Sequence, residues 1–417
     1  MANTLTPQAA AAPVPAHRDR NVLRWIAAYT ASMLGDTVFF LALSWAAVQN
    51  GTPAQAGVVT AVSAVPRALL MLGGGVVADR LGPRRVVIGS DAVRCVTVLA
   101  VAAVLFATDP GLWLLALLAL VFGTVDAVFM PAVGALPARI TARDQLARVQ
   151  GMRGLAVRFA AVVGAPLGGL GVAVGGSAAA FALAGLLIAA SLPLLVSVRM
   201  RELPSDGTTD AAPDTTAWRD LRAGLRYIRR HRVLAPLMVA IALGDLGFVG
   251  PLNVGLTLLA DERGWGASGM GWVLAGFGTG AGAAALLLTV RGRVPYAGLV
   301  AAGTIVPGAG AIAVLAHVPA LAGAVGTAVL VGLLTGLSGA VCGALLQTQS
   351  EPAYLGRVTA VAGIVSLGVA PLSMPVTAAA IGVWGTGPVF SVSAVVCGLG
   401  GLVALGAPAL RRAELPA

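Results

Sequence analysis

The sequence predicts an all-α membrane protein with twelve transmembrane helices in two pseudo-symmetric six-helix bundles. Hydrophobic residues make up 58% of the 417 residues and charged residues only 11%, and the mean hydropathy is +0.90. This composition leaves too few polar side chains to cover a soluble protein. A helix of about 20 apolar residues crosses the hydrocarbon layer, and breaks at arginine, proline and glycine divide the chain into twelve such segments.

The apolar segments give predicted spans 1 to 12 in chain order. Their centres are placed at Phe39, Arg67, Val98, Phe122, Val162, Leu187, Leu246, Gly278, Thr304, Leu333, Leu367 and Val396.

The chain repeats itself at an offset of 209 residues, as shown by Asp36 in span 1 and Asp245 in span 7. Five features share this offset: Leu34-Gly35-Asp36 with Leu243-Gly244-Asp245, residues 146–149 with 355–358, Pro166 with Pro375, Gly176 with Gly385, and Arg84 with Arg293. The repeat predicts two parallel halves with a cavity at their interface near the midplane.

The basic residues are concentrated in the loops on one predicted side of the membrane. The net charge is +10, and the arginines cluster in every second loop and near both ends of the chain. Cytoplasmic loops carry such an excess, so we predict a multi-pass protein of the cell membrane (inner or plasma membrane) with both termini in the cytoplasm. Nucleic acid is not needed to explain the charge.

The residues suited to metal binding or covalent catalysis are few. Cys95, Cys342 and Cys397 fall inside predicted spans, and the three histidines, His17, His231 and His317, lie near loops. We therefore expect no metal, no cofactor and no enzyme active site.

Five regions follow from this organisation. They are a disordered cytoplasmic tail (1–20), a first six-helix bundle (21–198), a cytoplasmic linker (199–233), a second bundle (234–410) and a short tail (411–417).

The linker has two predicted parts, a polar flexible stretch at 203–216 and an amphipathic helix. Trp218, Leu221, Leu225 and Ile228 share one face of this helix and Arg219, Arg222, Arg226 and Arg229 the other. Such a helix lies on an anionic membrane surface. The alternative is a solvated linker helix.

A compact charged turn separates predicted spans 2 and 3. Residues 75–85 read G-V-V-A-D-R-L-G-P-R-R, and the pattern G-x-x-x-D-R-x-G-x-R-R resembles the loop between the second and third spans of the major facilitator superfamily. The resemblance implies the fold of those transporters and a gate on the cytoplasmic side, formed by Gly75, Asp79, Arg80, Gly82, Arg84, Arg85 and Asp91. The alternative is an arginine-rich loop that sets only the topology.

Charges inside the spans are the candidates for mechanism, because an ionised side chain at mid-membrane costs roughly 2.5–3.5 kcal/mol without a partner or cavity. Burial and a nearby arginine act on a carboxyl group in opposite directions, so the group can exchange protons near neutral pH. We predict Asp36, Asp126 and Asp245 as proton-coupling residues. Asp36, near the middle of span 1, is the first choice; its alternative role is a static ion pair.

Three arginines are predicted as charge partners. Arg67 or Arg94 would pair with Asp36, and Arg158 with Asp126.

Predicted span 5 contains Gly164, Pro166, Gly168 and Gly169. This run resembles the antiporter signature in the same span of drug exporters, although Ala165 replaces a glycine and the spacing is one residue short. It serves either helix bending or close packing.

Several strings resemble one branch of the superfamily, the proton-coupled exporters that include macrolide efflux proteins and some siderophore exporters. They are Leu34-Gly35-Asp36, Asp91-x-x-Arg94, segments of 122–137, residues 224–231, and Gly356-Arg357-Val358. The resemblance implies proton-coupled antiport of hydrophobic or amphipathic small molecules by alternating access. Tyr29, Phe39, Phe40 and Phe248 are available to line the cavity.

The expected partners are a small-molecule substrate, protons and the lipid bilayer, and we expect a monomer. Two other functions stay open: a dedicated exporter of a siderophore or other metabolite, and a proton-coupled importer. A membrane protein that does not transport is disfavoured, because the spans contain no histidine.

Overall fold

A computed structural model describes residues 15–108, 111–141, 145–200, 217–291, 295–351 and 354–414. Residues 1–14 of the predicted tail (1–20) and the polar part of the linker lie outside the described residues. Ala16 is buried and Asp19 caps the first helix, so the folded part begins before residue 20.

The first half contains spans 1 to 6. They are Arg20–Asn50, Pro53–Val62 with Ala64–Leu81, Pro83–Ala107, Leu112–Ile140, and the two arms of Leu146–Ser197, here called span 5 (146–174) and span 6 (177–197). Gly175 and Gly176 separate these two arms with non-helical backbone, and the φ of Gly176 is 69°. Glycine adopts this left-handed region without the steric cost that other residues pay.

The second half contains spans 7 to 12. They are Leu234–Gly250 continued through Pro251–Gly255 to Leu256–Glu262, then Gly266–Arg291, Ala297–His317, Leu321–Thr348, Leu355–Gly363 continued to Ser373–Trp384, and Thr386–Gly406. Span 7 contains a π-helical turn at Pro251–Gly255, and span 11 contains another at Ile364–Val369.

The span count agrees with the sequence prediction. Within the described residues, ten helices are long and apolar enough to cross a membrane. One of them, Arg148–Ser197, bends at Gly176 and supplies spans 5 and 6, and span 2, broken at Ser63, adds the twelfth. The fold class is therefore confirmed as an all-α membrane protein of two six-helix bundles.

The repeat at 209 residues is visible in the backbone. Gly176 and Gly385 both have positive φ, 69° and 80°, and both join consecutive spans at equivalent places. Spans 5 and 11 also begin at equivalent residues, Leu146 and Leu355.

The two halves meet where span 5 packs on span 8 and where span 2 packs on span 11, and the repeat relates these two pairs of spans to each other. Gly271 of span 8 lies against the backbone of Ala165 and Pro166 in span 5, and Gly57 of span 2 lies against Pro375 in span 11. A cavity can therefore form between the halves, enclosed by these spans.

The molecule has two ends, which we name by the chain termini. The terminal face contains the start of span 1 at Arg20 and the end of span 12 at Gly406; the distal face contains the opposite ends of these two spans, at Asn50 and Thr386. Asp19 caps span 1 by accepting a hydrogen bond from the Asn21 amide at 2.8 Å.

The linker helix, Ala217–Arg230, docks on the terminal-face end of span 11. Tyr227 stacks on Tyr354 with ring centroids 4.4 Å apart, and Gly224 packs against the Arg357 backbone. Ile228 is buried and Leu225 is exposed, so the apolar face of the helix is divided between protein and surroundings.

Candidate functional site

A cavity of about 350 Å³ lies between the two halves. Spans 1, 2, 5, 7, 8 and 11 all contribute to it. Its polar wall consists of Thr37, Ser44, Thr60, Ser63, Arg67 and Asn253, and its apolar wall includes Phe40, Leu41, Leu252, Met270, Leu274, Phe277 and Met374. A mostly apolar wall with a few polar groups is typical of small-molecule sites.

The halves are hydrogen-bonded to each other toward the distal face. The hydroxyls of Ser44 and Thr257 are 2.6 Å apart and buried, and the Gln49 amide donates to Asp261 at 2.8 Å. These residues lie near the ends of spans 1 and 7, so these spans hold the cavity closed on the distal side.

Arg94 of span 3 lies at the centre of a buried charged cluster. Its Nη1 donates to both carboxylate oxygens of Asp36 at 2.9 Å and to Asp126 at 3.3 Å, and its Nη2 donates to Asp91. Arg94 and Asp91 are fully buried. One guanidinium thus serves three carboxylates from spans 1, 3 and 4.

Neutral groups support this cluster. The Ser191 hydroxyl of span 6 donates to Asp91 at 2.6 Å, and the Ser32 hydroxyl donates to Asp91 at 3.1 Å. The Phe129 ring lies 3.9 Å from the Arg94 guanidinium carbon, within cation–π range. The cluster therefore joins four spans of the first half.

Asp36 connects the cluster to the cavity. Its side chain is 14% exposed, compared with 9% for Asp126 and 0% for Asp91. The next residue, Thr37, lies in the cavity wall. Asp36 is the most accessible of the three acids.

One of the predicted pairs is present and another is not. Of the two predicted partners of Asp36, Arg94 contacts it, whereas Asp126 also contacts Arg94 rather than Arg158. Arg158 instead donates to the Ala281 carbonyl of span 8 at 2.9 Å, because span 5 runs beside span 8. Arg67 lies in the cavity wall.

Asp91 is placed differently from its predicted role. The sequence grouped it with the cytoplasmic gate, but it is bonded within the buried cluster, because Ser32, Arg94 and Ser191 all face it. Sequence spacing alone gave no sign that three spans converge there.

The rest of the predicted gate is only partly described. Gly75 and Asp79 lie outside the residues whose side chains are described. Gly82 has a φ of 84° at the turn between spans 2 and 3, Arg84 donates to the Val196 carbonyl of span 6, and Arg80 and Arg85 are exposed. The turn is therefore tied to span 6 through Arg84.

Asp245 occupies a different environment from its repeat counterpart, Asp36. It accepts a hydrogen bond from Ser366 on the π-helical turn of span 11. At the offset of 209, Gly303 stands where Arg94 stands in the first half, and Thr335 where Asp126 stands. The charged cluster therefore has no counterpart among the described residues of the second half.

The glycine-rich run of span 5 forms close helix contacts. A Cβ on Gly164 would lie 2.8 Å from Thr37 of span 1, and one on Gly169 would lie 2.5 Å from the Ala267 carbonyl of span 8. Gly168 packs against Val38 of span 1, and the helix continues through Pro166. These contacts favour the packing role over a bend at the proline.

Of the four aromatic residues suggested for the cavity, Phe40 lines it. Phe39 is buried against Phe122 with ring centroids 3.8 Å apart. Tyr29 stacks on Trp25 toward the terminal face, and Phe248 lies beside Phe277 and outside the main cavity wall.

Sequence reasoning missed most of the polar wall. Thr37, Phe40 and Ser44 recur at helical spacing along one face of span 1, so this pattern was readable. Asn253 belongs to a segment without such a signal, and only the packing of the halves brings it to the cavity.

Comparisons with known proteins give the same fold. A family model described as Major Facilitator Superfamily matches residues 25–367. No curated protein matched the chain.

Solved structures of similar fold include a POT family transporter in complex with 5-aminolevulinic acid, at a TM-score of 0.70 and 12% identity, covering 94% of this chain and 96% of that chain. A variant of the nucleoside transporter NupG also has a TM-score of 0.70, at 11% identity, covering 93% of this chain and 100% of that chain. Identities this low support the fold alone. Because the family model covers most of the chain, the protein belongs to the Major Facilitator Superfamily and has the fold of a secondary active transporter.

Proposed function

We propose that this protein is a proton-coupled antiporter that exports hydrophobic or amphipathic small molecules by alternating access. The observation that carries the proposal is the buried cluster in which Arg94 serves Asp36, Asp91 and Asp126.

The net negative charge of the fully ionised cluster favours the binding of protons. Three ionised carboxylates around one guanidinium leave two negative charges uncompensated in a site with little water. Uncompensated buried charge costs several kcal/mol, and proton binding removes that cost. Asp36, as the most exposed acid, is the group through which we expect protons to enter and leave.

The cluster acts on the helix that also contacts the cargo site. Span 1 carries Asp36, then Thr37 and Phe40 in the cavity wall, then Ser44 in the bond to Thr257. A proton on Asp36 weakens its contact with Arg94 and releases span 1 from span 3. Proton state, cargo occupancy and distal closure can therefore influence one another through span 1.

The arginine-rich loops support a cytoplasmic terminal face. With this orientation, the Ser44–Thr257 contact closes the cavity toward the outside. An exporter loads its cargo in a conformation that is closed on this side.

The cavity wall supports an amphipathic cargo. Phe40, Met270 and Phe277 offer apolar surface, while Arg67 and Asn253 offer polar groups at separate places. Burial of apolar surface provides most of the binding free energy, and the polar groups fix the orientation of the cargo.

The proposal is tested with purified protein in proteoliposomes. Vesicles with an acidic interior and the terminal face outward should accumulate the uncharged dye Nile red, and a protonophore should abolish the accumulation. Uptake that does not depend on the pH gradient, or movement of protons and dye in the same direction, would contradict antiport.

A further inference from the structure

Arg67 is a cationic side chain in the cavity wall that the charged cluster does not use. It lies near the middle of span 2, and its buried Nε has no hydrogen-bond partner. Its charge acts on Asp126, but among the described residues it forms no hydrogen bond or ion pair. A guanidinium has five N–H donors, so those of Arg67 remain for a bound molecule.

The other polar groups of the wall have their donor hydrogens engaged, except for the second N–H of the Asn253 amide, which has two donors and forms one hydrogen bond. The Ser44 and Thr257 hydroxyls pair with each other. The remaining donors bond to backbone carbonyls of their own helices: Thr37 to Met33, Thr60 to Ala56, Ser63 to Thr60, and Asn253 to Val249. These groups keep lone pairs that can accept hydrogen bonds. Among the described residues of the wall, Arg67 therefore supplies the strong free donors.

The charges around Arg67 decide whether its hydrogen-bond acceptor is an anionic group or an uncharged oxygen. Asp36, Asp91 and Asp126 surround the Arg94 guanidinium, which leaves two negative charges when all groups are ionised. Arg67, whose charge acts on Asp126, reduces this excess to one. An anionic cargo would add to that excess and favour proton uptake, whereas antiport needs cargo and proton to exclude each other. An uncharged oxygen acceptor avoids both problems.

We propose that Arg67 is the cargo-binding donor of this cavity and that the cargo is an uncharged amphipathic molecule that presents an ester, lactone or ketone oxygen to it. This assignment rests on the proposed transport function. The apolar body of the cargo packs on Phe40 and Phe277. A hydroxyl or amide hydrogen elsewhere on the cargo finds the acceptor lone pairs of the wall.

The experiment measures equilibrium binding to the full-length protein in nanodiscs, with empty nanodiscs as the blank and no pH gradient. Three tritiated probes of similar size are compared: methyl naphthoate with its neutral ester, naphthoate with its carboxylate, and propylnaphthalene with no oxygen. The wild type should bind methyl naphthoate about tenfold or more tightly than propylnaphthalene, and naphthoate more weakly than the ester.

The variants assign the effect to Arg67. Arg67→Met keeps a long apolar side chain without donors, and it should reduce the ester affinity to that of propylnaphthalene, whose own affinity should not change. Arg24→Met removes an exposed arginine at the start of span 1 and should leave all three affinities unchanged. If Arg67→Met also loses propylnaphthalene, its fold is damaged and Arg67→Leu, which also lacks donors, is decisive, with the same expected loss of ester binding.

Three results would overturn the assignment: unchanged ester affinity in a folded Arg67 variant, tighter binding of naphthoate than of the ester, or no ester binding to the wild type above empty nanodiscs. Binding is measured without a pH gradient, so it does not depend on the proposed transport function. That function is tested separately, by the proteoliposome experiment. Loss of gradient-driven transport together with Arg67-dependent ester binding would contradict only the antiporter.

Discussion

Arg94 and Asp36 join spans 3 and 1 inside the first half, with the Arg94 Nη1 at 2.9 Å from both carboxylate oxygens. Arg94 is fully buried, whereas Asp36 remains 14% exposed. This contact places Asp36, the acid that we propose exchanges protons, between a fixed cation and the cavity wall. The first two predictions separate the roles of these residues.

Asp36→Asn should abolish proton-driven accumulation while cargo binding remains, because the amide keeps the shape of the side chain but cannot exchange a proton near neutral pH. Asp36→Glu, which keeps an ionisable group, should retain partial coupling. Binding and accumulation are measured on the same proteoliposome preparation. Uphill transport by Asp36→Asn under a pH gradient would move the proton-carrying role to Asp126 or Asp245.

Arg94→Met should destabilise the fold, since it leaves three carboxylates without their cation. Loss of one partner from a buried ionic network costs about 3–5 kcal/mol. The cost should be largest at alkaline pH and should shrink at acidic pH, where protonated carboxyls no longer need a cation. Thermal unfolding in detergent across pH, with Arg24→Met as the control, measures this. A loss of stability that is the same at all pH values would contradict the electrostatic explanation.

The fold was predictable because its signals are local. Span length follows from the lengths of the apolar runs. The repeat that relates Asp36 to Asp245 can be identified in the sequence, and the positive φ values of Gly176 and Gly385 show the same repeat in the backbone. The break of span 2 at Ser63 and the π-helical turns of spans 7 and 11 were not predicted, because these breaks depend on packing against neighbouring helices.

The candidate site was predictable in its residue types and not in its pairs. The charges inside the spans were identifiable from their cost in lipid, but the choice between Arg67 and Arg94 as the partner of Asp36 depends on how spans 1, 2 and 3 rotate against one another. Phe39 and Phe40 illustrate the same limit, since a rotation of one residue, about 100° on a helix, separates the buried core from the cavity wall.

Gly169→Leu should impair transport by obstructing the approach of spans 5 and 8. Its Cβ would lie 2.5 Å from the Ala267 carbonyl, and overpacking of this kind costs about 1–3 kcal/mol in the closed state. Gly134→Leu is the matched control, because a Cβ there meets nothing within 4 Å. The measurement is the initial rate of dye accumulation in proteoliposomes. Equal rates for the two variants would contradict the prediction that close packing at Gly169 is needed for transport.

A disulfide between Ser44→Cys and Thr257→Cys should trap the distal face closed. The two hydroxyl oxygens are 2.6 Å apart across the halves, and the native cysteines, Cys95, Cys342 and Cys397, are buried. Oxidation should stop transport by the double variant and reduction should restore it, while each single variant should be insensitive to oxidant. Full transport by the oxidised, cross-linked protein would mean that separation of these residues is not part of the cycle.

The terminal face is predicted to be cytoplasmic, because the arginine-rich loops lie on that side and anionic lipid and the membrane potential hold such loops inside. Thr52, at the distal face, and Arg229, on the linker helix, are both exposed, so each can carry a single reporter cysteine. In intact cells, an impermeant thiol reagent should label Thr52→Cys and should label Arg229→Cys only after permeabilisation. The wild type is the control for background, since its three cysteines are buried. The opposite labelling pattern would invert the topology, and the distal closure at Ser44 and Thr257 would then face the cytoplasm, so the structure would represent a state closed toward the cytoplasm.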